Sequence, residues 1–303
     1  VKKNIIIVGI FAVIVVIGIV LLILFRSSSS TSNPASDASI RVVAAENFYG
    51  DIAQQLGGSH VAVTSLLSDP NVDPHEYEAS VADGIAISNA NVVIKNGLNY
   101  DTWMDKLISA SPNAHRIVIT GGDVATRLLP DNPHVWYGID NIAAIARSIT
   151  NAFEQVDPAD DADFEANDTA FNNSLAPLNA KIAEIKTKFS GTNVGLTETI
   201  YLYQSEPMGL NVITPFNFEK AVAEGNDPSA QDVATTDQQT SAQQIKVLIY
   251  NSQTVTPITT NLQNLSEQNN IPIVPVSETM PANTDYQSWM MGEMDALETA
   301  LSK

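Results

Sequence analysis

Val61-Ala-Val-Thr-Ser-Leu-Leu67 is a β-prone run that feeds a loop containing Asp73-Pro74-His75-Glu76-Tyr77-Glu78. Its neighbours decide what kind of sheet it joins. Upstream, Arg41 to Ala45 reads as a strand ending at Glu46-Asn47. A helical stretch from Gly50 to Leu56 follows and closes at Gly57-Gly58. Downstream come a helix over Ser80 to Asn89, a strand at Val92 to Ile94, a helix over Trp103 to Ser109 and a strand from Arg116 to Thr120. Strands alternating with helices at this spacing predict a parallel sheet with βαβ connections. In such sheets ligands bind beyond the carboxyl ends of the strands, which is where the loop after Leu67 lies.

A second stretch, Asn132-Pro133-His134-Val135-Trp136-Tyr137, repeats the Pro-His pairing of the first. The chain has four histidines, so two in such similar settings is unusual. Proline fixes its own φ and favours extended geometry in the residue before it, so each pair aims an imidazole from a stiff backbone. Imidazole is the commonest protein ligand for transition metals. His75 and His134 are therefore expected to converge on one metal ion, with carboxylates completing the shell. The other two histidines, His60 and His115, precede strands and read as surface residues.

Asn141 to Phe153 carries Ile142, Ile145, Ile149 and Phe153 at helical spacing. Beyond Asp157-Pro158, Phe164, Phe171, Leu175, Leu178, Ile182, Ile185 and Phe189 form one apolar stripe. That stripe predicts a single amphipathic helix of about 26 residues and about 39 Å, kinked or broken at Pro177. A helix this long between two strand-rich regions reads as a spine joining two lobes. The α/β pattern then restarts. Strands are expected at Val194 to Thr197, Asn211 to Thr214, Lys246 to Tyr250 and Ile273 to Val276. Helical stretches are expected at Ile200 to Met208, Ser229 to Thr240, Pro257 to Asn269 and Trp289 to Leu301. No repeat between the halves is visible in the sequence.

Glu198 and Glu278 each fall just past a predicted strand of the second half. If the lobes face each other, both meet His75 and His134 in the cleft. Two imidazoles and two carboxylates suit Zn²⁺, Mn²⁺ or Fe²⁺. With every position taken by protein, no open site remains for an activated water, which points to capture rather than catalysis. Glu76, Glu78 and Glu206 read as outer partners or solvated acids, and the three tryptophans, with Tyr100 and Tyr137, as core or lobe-interface packing. There is no second histidine four residues after His75, no GxxxxGK[ST] loop and no GxSxG elbow, so the chain is expected not to be an enzyme.

The 303 residues carry a net charge of −19 and no cysteine. Thiolate metal sites, disulfides and CxxC redox chemistry are thereby excluded. Val1–Phe25 holds two lysines and no acid; the remainder has 13 basic and 34 acidic residues, which argues against nucleic-acid binding. Ile5 to Phe25 is an uninterrupted apolar run, about 30 Å long as a helix and so able to span a bilayer. Lys2 and Lys3 before it favour a cytoplasmic N-terminus with the body exported. Ser27 to Ser39 reads as a flexible tether.

Asp73-Pro-His-Glu-Tyr-Glu78, Asn96-Gly-Leu-Asn-Tyr-Asp-Thr-Trp-Met104, Asn132-Pro-His-Val-Trp-Tyr137, Leu196-Thr-Glu-Thr199, Ser277-Glu-Thr-Met-Pro281 and Tyr286-Gln-Ser-Trp-Met290 occur in this order. Together they resemble the metal-binding solute receptors of zinc/manganese ABC transporters, over about Ile40 to Leu301. The resemblance implies an α/β fold of two lobes, each a mainly parallel sheet flanked by helices, joined by one long helix, with metal bound between the lobes. It carries the four ligands onto His75, His134, Glu198 and Glu278. It implies a monomeric, extracytoplasmic receptor that captures Zn²⁺ or Mn²⁺ as cargo for an ABC permease and its ATPase. A surface adhesion protein on the same fold, with structural metal, is the alternative. Gram-positive members are normally lipoproteins; with no cysteine here, the N-terminal transmembrane helix is expected to anchor the body at the cell membrane. No His-rich loop of the kind found in many zinc receptors is present. The expected organisation is a transmembrane anchor or signal segment over 1–26, a flexible linker over 27–39, a lobe over 40–157, the linking helix over 158–190 and a second lobe over 191–303. Replacing His75 by Ala is expected to lower metal affinity at least tenfold, and a titration with unchanged affinity would remove it from the ligand set.

Overall fold

The computed structural model describes residues 40–69 and 77–303. The expected anchor at Ile5 to Phe25, its tether and His75 lie outside the described residues. Among those described, no helix is long and apolar enough to cross a membrane. The described residues fall in one compact unit.

Two four-stranded sheets organise it. The first contains β1 (Ile40–Glu46), β2 (Val61–Leu67), β3 (Val92–Lys95) and β4 (Ile117–Thr120), in the order β2-β1-β3-β4. The second contains β5 (Asn193–Leu196), β6 (Asn211–Val212), β7 (Leu248–Asn251) and β8 (Ile273–Val276), in the order β6-β5-β7-β8. Every pairing is parallel. The two orders are the same when each sheet is counted from its own first strand. The halves thus share a topology that their sequences do not display. The order reverses between β1 and β3, and again between β5 and β7. At such switch points the outgoing loops part and leave a crevice.

Burial explains the strand sequences. In β1 six of seven residues are buried, because helices cover both faces of a central parallel strand. One covering helix is α1 (Asn47–Gly57), whose Phe48, Ile52 and Leu56 are fully buried. It ends at Gly58, whose φ is +55°. Helix α2 (Val81–Asn89) starts from a reciprocal cap: Ser80 Oγ accepts from Asp83 N and Asp83 accepts from Ser80 N. Helix α3 (Thr102–Ala110), the short α4 (Gly121–Val124) and α5 (Ile139–Val156) complete the first half.

The predicted spine is two helices, α6 (Asp161–Ser174) and α7 (Ala176–Phe189). The break at Leu175 has a plain cause. Pro177 has no N–H to give the preceding turn, and Leu175 N bonds three residues back, to Asn172 O at 3.2 Å. The apolar stripe is continuous across the break: Phe164, Phe171, Leu175, Leu178 and Ile185 are all buried. The second half adds α8 (Leu202–Ser205), α9 (Phe216–Ala223), α10 (Ala230–Ser241), α11 (Pro257–Gln268) and α12 (Tyr286–Leu301). Helix α9 was not anticipated. It follows Pro215 and buries Phe218, Glu219 and Val222. Strand β6 is shorter than expected, although Ile213 N still reaches Val194 O before the chain turns at Pro215.

One apolar core runs through both halves, from Ile40 and Val42 through Trp136, Tyr137 and Tyr201 to Trp289 and Leu301. Phe48 stacks on Trp136 at 4.7 Å, and Trp289 meets Tyr137 edge-on at 5.9 Å. Trp103 lies apart, against Tyr77 in a smaller cluster.

The motif Asn96 to Asp101 forms a tight turn after β3. Gly97, Leu98 and Asn99 all have positive φ, at +76°, +55° and +65°. Asp101 accepts from the backbone N–H of Asn96 at 2.7 Å and of Gly97 at 2.8 Å. A Cβ on Gly97 would lie 2.4 Å from Thr120 Cγ2. Gly97→Ala is therefore expected to cost about 1–3 kcal/mol through left-handed strain and overpacking, read as a lower urea midpoint; an unshifted midpoint would refute it.

Candidate metal centre

His134, Glu198 and Glu278 offer ligating atoms that all lie within 4.8 Å of one another, and each side chain is buried. Each arrives from the carboxyl end of a sheet. His134 precedes a 3₁₀ turn at Val135–Tyr137, Glu198 follows β5, and Glu278 follows β8. The backbone N–H of Glu278 is held by Gln253 Oε1 at 2.6 Å, which also takes Thr279 N–H at 2.9 Å.

The tautomer of His134 follows from its neighbour. Asn132 Nδ2 donates to the Thr199 carbonyl at 2.7 Å, so Asn132 Oδ1 must face the other way. There it accepts from His134 N at 3.0 Å and lies 2.9 Å from Nδ1. Nδ1 therefore carries the proton. Nε2 presents its lone pair toward Glu278, 4.0 Å from Oε2.

A second asparagine orients the carboxylates. Asn251 Oδ1 accepts from Gln253 N at 3.0 Å, which turns Nδ2 toward the acids. Nδ2 lies 2.9 Å from Glu198 Oε1, 2.7 Å from Glu278 Oε1 and 2.8 Å from Thr254 Oγ1. Asn251 ends β7, beside β5 at the switch point of the second sheet. Glu278 Oε2 also accepts from Tyr100 at 2.8 Å. Burial, together with the Glu278 charge, holds the Tyr100 phenol well above its ordinary pKa, so it remains a neutral donor. Asn96 in turn donates to the Pro133 carbonyl at 2.9 Å, bracing the loop that carries His134.

The sequence assigns no role to Asn132 or Asn251 and reads Tyr100 only as core or lobe-interface packing, whereas its hydroxyl meets Glu278. Asn132 and Tyr100 stand within the motifs given above, and Asn251 directly follows the strand expected at Lys246 to Tyr250, but Thr199, Glu198 and Glu278, which orient or receive them, are remote in sequence. Glu46 is a further buried acid near the centre, at the end of β1. Burial first, then the Asp101 and Glu278 charges, push its carboxyl well above the usual range. Of the acids expected nearby, Glu206 instead pairs with Arg127 at 2.8 Å, half exposed, and Glu78 is exposed. His115 is exposed. His60 is not a simple surface residue. Its Nδ1 lies 2.8 Å from Asp160 and its Nε2 3.1 Å from Asp163, at the start of α6. Each ring nitrogen there serves a different carboxylate. That geometry links the turn before β2 to the start of α6.

Asn132→Ala is expected to abolish the single-tautomer state of His134. Long-range ¹H–¹⁵N spectra should show the Nδ1–H form in the parent protein and a mixture in the variant. A mixture in both would refute the assignment.

Comparison with known proteins follows the same lines. The family profile described as ZnuA, zinc-uptake complex component A, periplasmic, matches residues 42–300. Among curated relatives, the iron-binding protein YfeA of Yersinia pestis is 26% identical over 175 residues, covering 54% of this chain and 56% of that protein. The manganese ABC transporter substrate-binding lipoprotein PsaA of Streptococcus pneumoniae is 26% identical over 171 residues, 51% of this chain and 54% of that protein. The chain thus spans little more than half the length of these curated relatives. Two solved structures share the fold. The periplasmic zinc-binding protein TroA of Treponema pallidum has a TM-score of 0.75 at 18% identity, covering 87% of this chain and 99% of that one. FpvC of Pseudomonas aeruginosa, solved with Mn²⁺, has a TM-score of 0.72 at 21% identity, covering 87% and 98%. With the profile match extending over nearly all of the two-sheet body, the chain belongs to the ZnuA family of periplasmic zinc-uptake components.

Proposed function

We propose that this protein captures a divalent transition-metal ion, Zn²⁺ or Mn²⁺, through His134, Glu198 and Glu278 with His75 as the fourth ligand. It hands the ion to an ABC permease driven by its ATPase. The single observation that carries this reading is the convergence of one imidazole and two carboxylates, all buried, within 4.8 Å. Two adjacent buried carboxylates repel each other and have lost their hydration, so a dication is the partner that compensates both. Mixed nitrogen and oxygen donors favour Zn²⁺, Mn²⁺ or Fe²⁺ over Ca²⁺ and Mg²⁺, which take all-oxygen shells. The imidazole of His134 arrives with its proton on the far nitrogen, ready to ligate.

Relatives described as periplasmic proteins or lipoproteins of metal ABC transporters support an extracytoplasmic, non-enzymatic receptor. In this reading Ile5 to Phe25 anchors a monomeric body at the membrane. The lobes comprise 40–157 and 191–303, with 158–190 linking them.

Elemental analysis of the purified protein, followed by competitive Zn²⁺/Mn²⁺ titration, tests the reading. Stoichiometric binding of one dication is expected. His134→Ala should weaken it at least tenfold, and Glu278→Gln should weaken it further than a lost hydrogen bond would, because a charge is removed. Lower pH should also weaken binding, since protons compete for the imidazole nitrogens. Unchanged affinity in His134→Ala would defeat the assignment.

A further inference from the structure

Glu293 has no part in the centre as described, yet its carboxyl is buried on α12 and meets three polar groups. Oε1 accepts from Ser277 N at 3.1 Å and from Trp289 Nε1 at 2.8 Å. Oε2 lies 2.9 Å from the Tyr137 hydroxyl. That hydroxyl also lies 2.7 Å from the Ser277 carbonyl oxygen.

Counting protons decides the state of this group. Tyr137 has one hydroxyl proton and faces two oxygens. If Glu293 were ionised, one of those two short contacts would bring lone pairs together with no proton between them. A proton on Oε2 resolves both contacts. Glu293 then donates to Tyr137, Tyr137 donates to the Ser277 carbonyl, and Oε1 accepts the two N–H groups. The circuit starts on α12, passes through Tyr137, three residues beyond His134, and ends at the residue before Glu278.

We propose that Glu293 is a positioning residue which, held as a neutral acid, closes this circuit and sets the spacing between the His134 loop and the Glu278 turn. The positioning role rests on the metal-capture reading above; the protonation state does not.

The surroundings agree. Burial pushes the Glu293 carboxyl up to about 8, against the lowering effect of its polar contacts with Tyr137, Ser277 and Trp289. The titratable groups that feel its charge are Tyr137, Tyr201 and Tyr286, all phenols raised well above their ordinary range by burial. Farther along α12, Asp295 and Glu298 are paired with Lys181 of α7, and Glu298 also with Lys188. On α1, Asp51 accepts from Tyr286 N. No cation is among the groups that shift Glu293.

Glu293→Gln tests the idea, because its amide can donate to Tyr137 and its carbonyl can accept as Oε1 does. Melting temperatures of the metal-free parent and variant are compared across pH. The folded parent keeps a proton that its unfolded chain releases near pH 4.5, so unfolding loses a proton between about pH 4.5 and 8. Parent stability relative to Glu293→Gln should therefore fall across that window, by roughly 5 °C or more, and level off above it. Parallel curves would overturn the neutral-acid state.

Zn²⁺ titration reads the positioning role. Glu293→Gln should bind within about threefold of the parent at pH 7, and Glu293→Ala at least tenfold more weakly. Should Glu293→Ala not fold, Tyr137→Phe, which breaks the circuit but keeps the ring, takes its place. Between pH 7 and 9 the parent should lose affinity relative to Glu293→Gln. A purely Coulombic role for the carboxylate would move that ratio the other way and overturn the proposal, as would full affinity in the circuit-breaking variant. A parent that binds neither Zn²⁺ nor Mn²⁺ would defeat the metal-capture reading and the positioning role with it, while the melting curves would still decide the protonation state.

Discussion

Two buried carboxylates, Glu198 and Glu278, are held against each other by one amide nitrogen, Asn251 Nδ2. That is the constraint on which the rest of the centre depends. Were both ionised, unit charges no more than 4.8 Å apart at an effective dielectric of about 20 would repel by about 3.5 kcal/mol or more. Neutral donors from Asn251, Thr254 and Tyr100 offset part of that cost without removing the charge. A divalent ion at the same point turns the repulsion into attraction to a common centre. The same arrangement that strains the metal-free protein thus becomes the source of affinity in the proposed function.

Holding that arrangement requires the two sheets to stay in register with each other, and several contacts do so. Asn47 and Met280 exchange a pair of hydrogen bonds between amide and backbone at 2.6 and 3.0 Å. Tyr100 reaches Glu278, Tyr137 reaches Ser277, and Tyr286 donates to the Trp136 carbonyl at 2.7 Å. Three tyrosines thus bring polar tips to the junction while their rings fill the core, which suits a side chain with an apolar body and a single polar atom. The core is continuous through Trp136 and Trp289, so separating the halves would expose large aromatic surface. The centre is accordingly built on packed elements rather than on a free hinge.

Much of this was legible in the chain. The strand at Val61 to Leu67 has the observed bounds, and β8 ends where Ser277-Glu278 was expected to begin the loop. The central strands β1 and β3 are buried and largely β-branched or apolar, so they stand out. The apolar stripe from Phe164 to Phe189 was read correctly as one face, yet Pro177 divides its backbone into two helices. The side-chain period survives a break in the hydrogen-bond ladder, so the stripe alone does not reveal it. Helix α9 escaped because its eight residues offer only about two turns of pattern. His60 escaped for a different reason: its carboxylate partners lie about a hundred residues away.

Taken alone, the sequence nominated the candidate ligands His75, His134, Glu198 and Glu278. Pro-His pairs, acids past strand ends, missing thiols and missing catalytic motifs are all local or countable features. It also determined the α/β class, because period and alternation are local. Only the tertiary structure decided how those residues act together. It brought His134 to two acids from the other sheet, turned Asn132 to select the lone pair on Nε2, and set Asn251 between the carboxylates. It also placed Tyr137 against two oxygens and so required a proton on Glu293. The physical reason is that hydrogen-bond direction, tautomer and protonation are set by groups a few ångströms apart in space, and the deciding partners, Thr199 for Asn132, Asn251 for the two acids and Tyr137 for Glu293, lie dozens to hundreds of residues away along the chain.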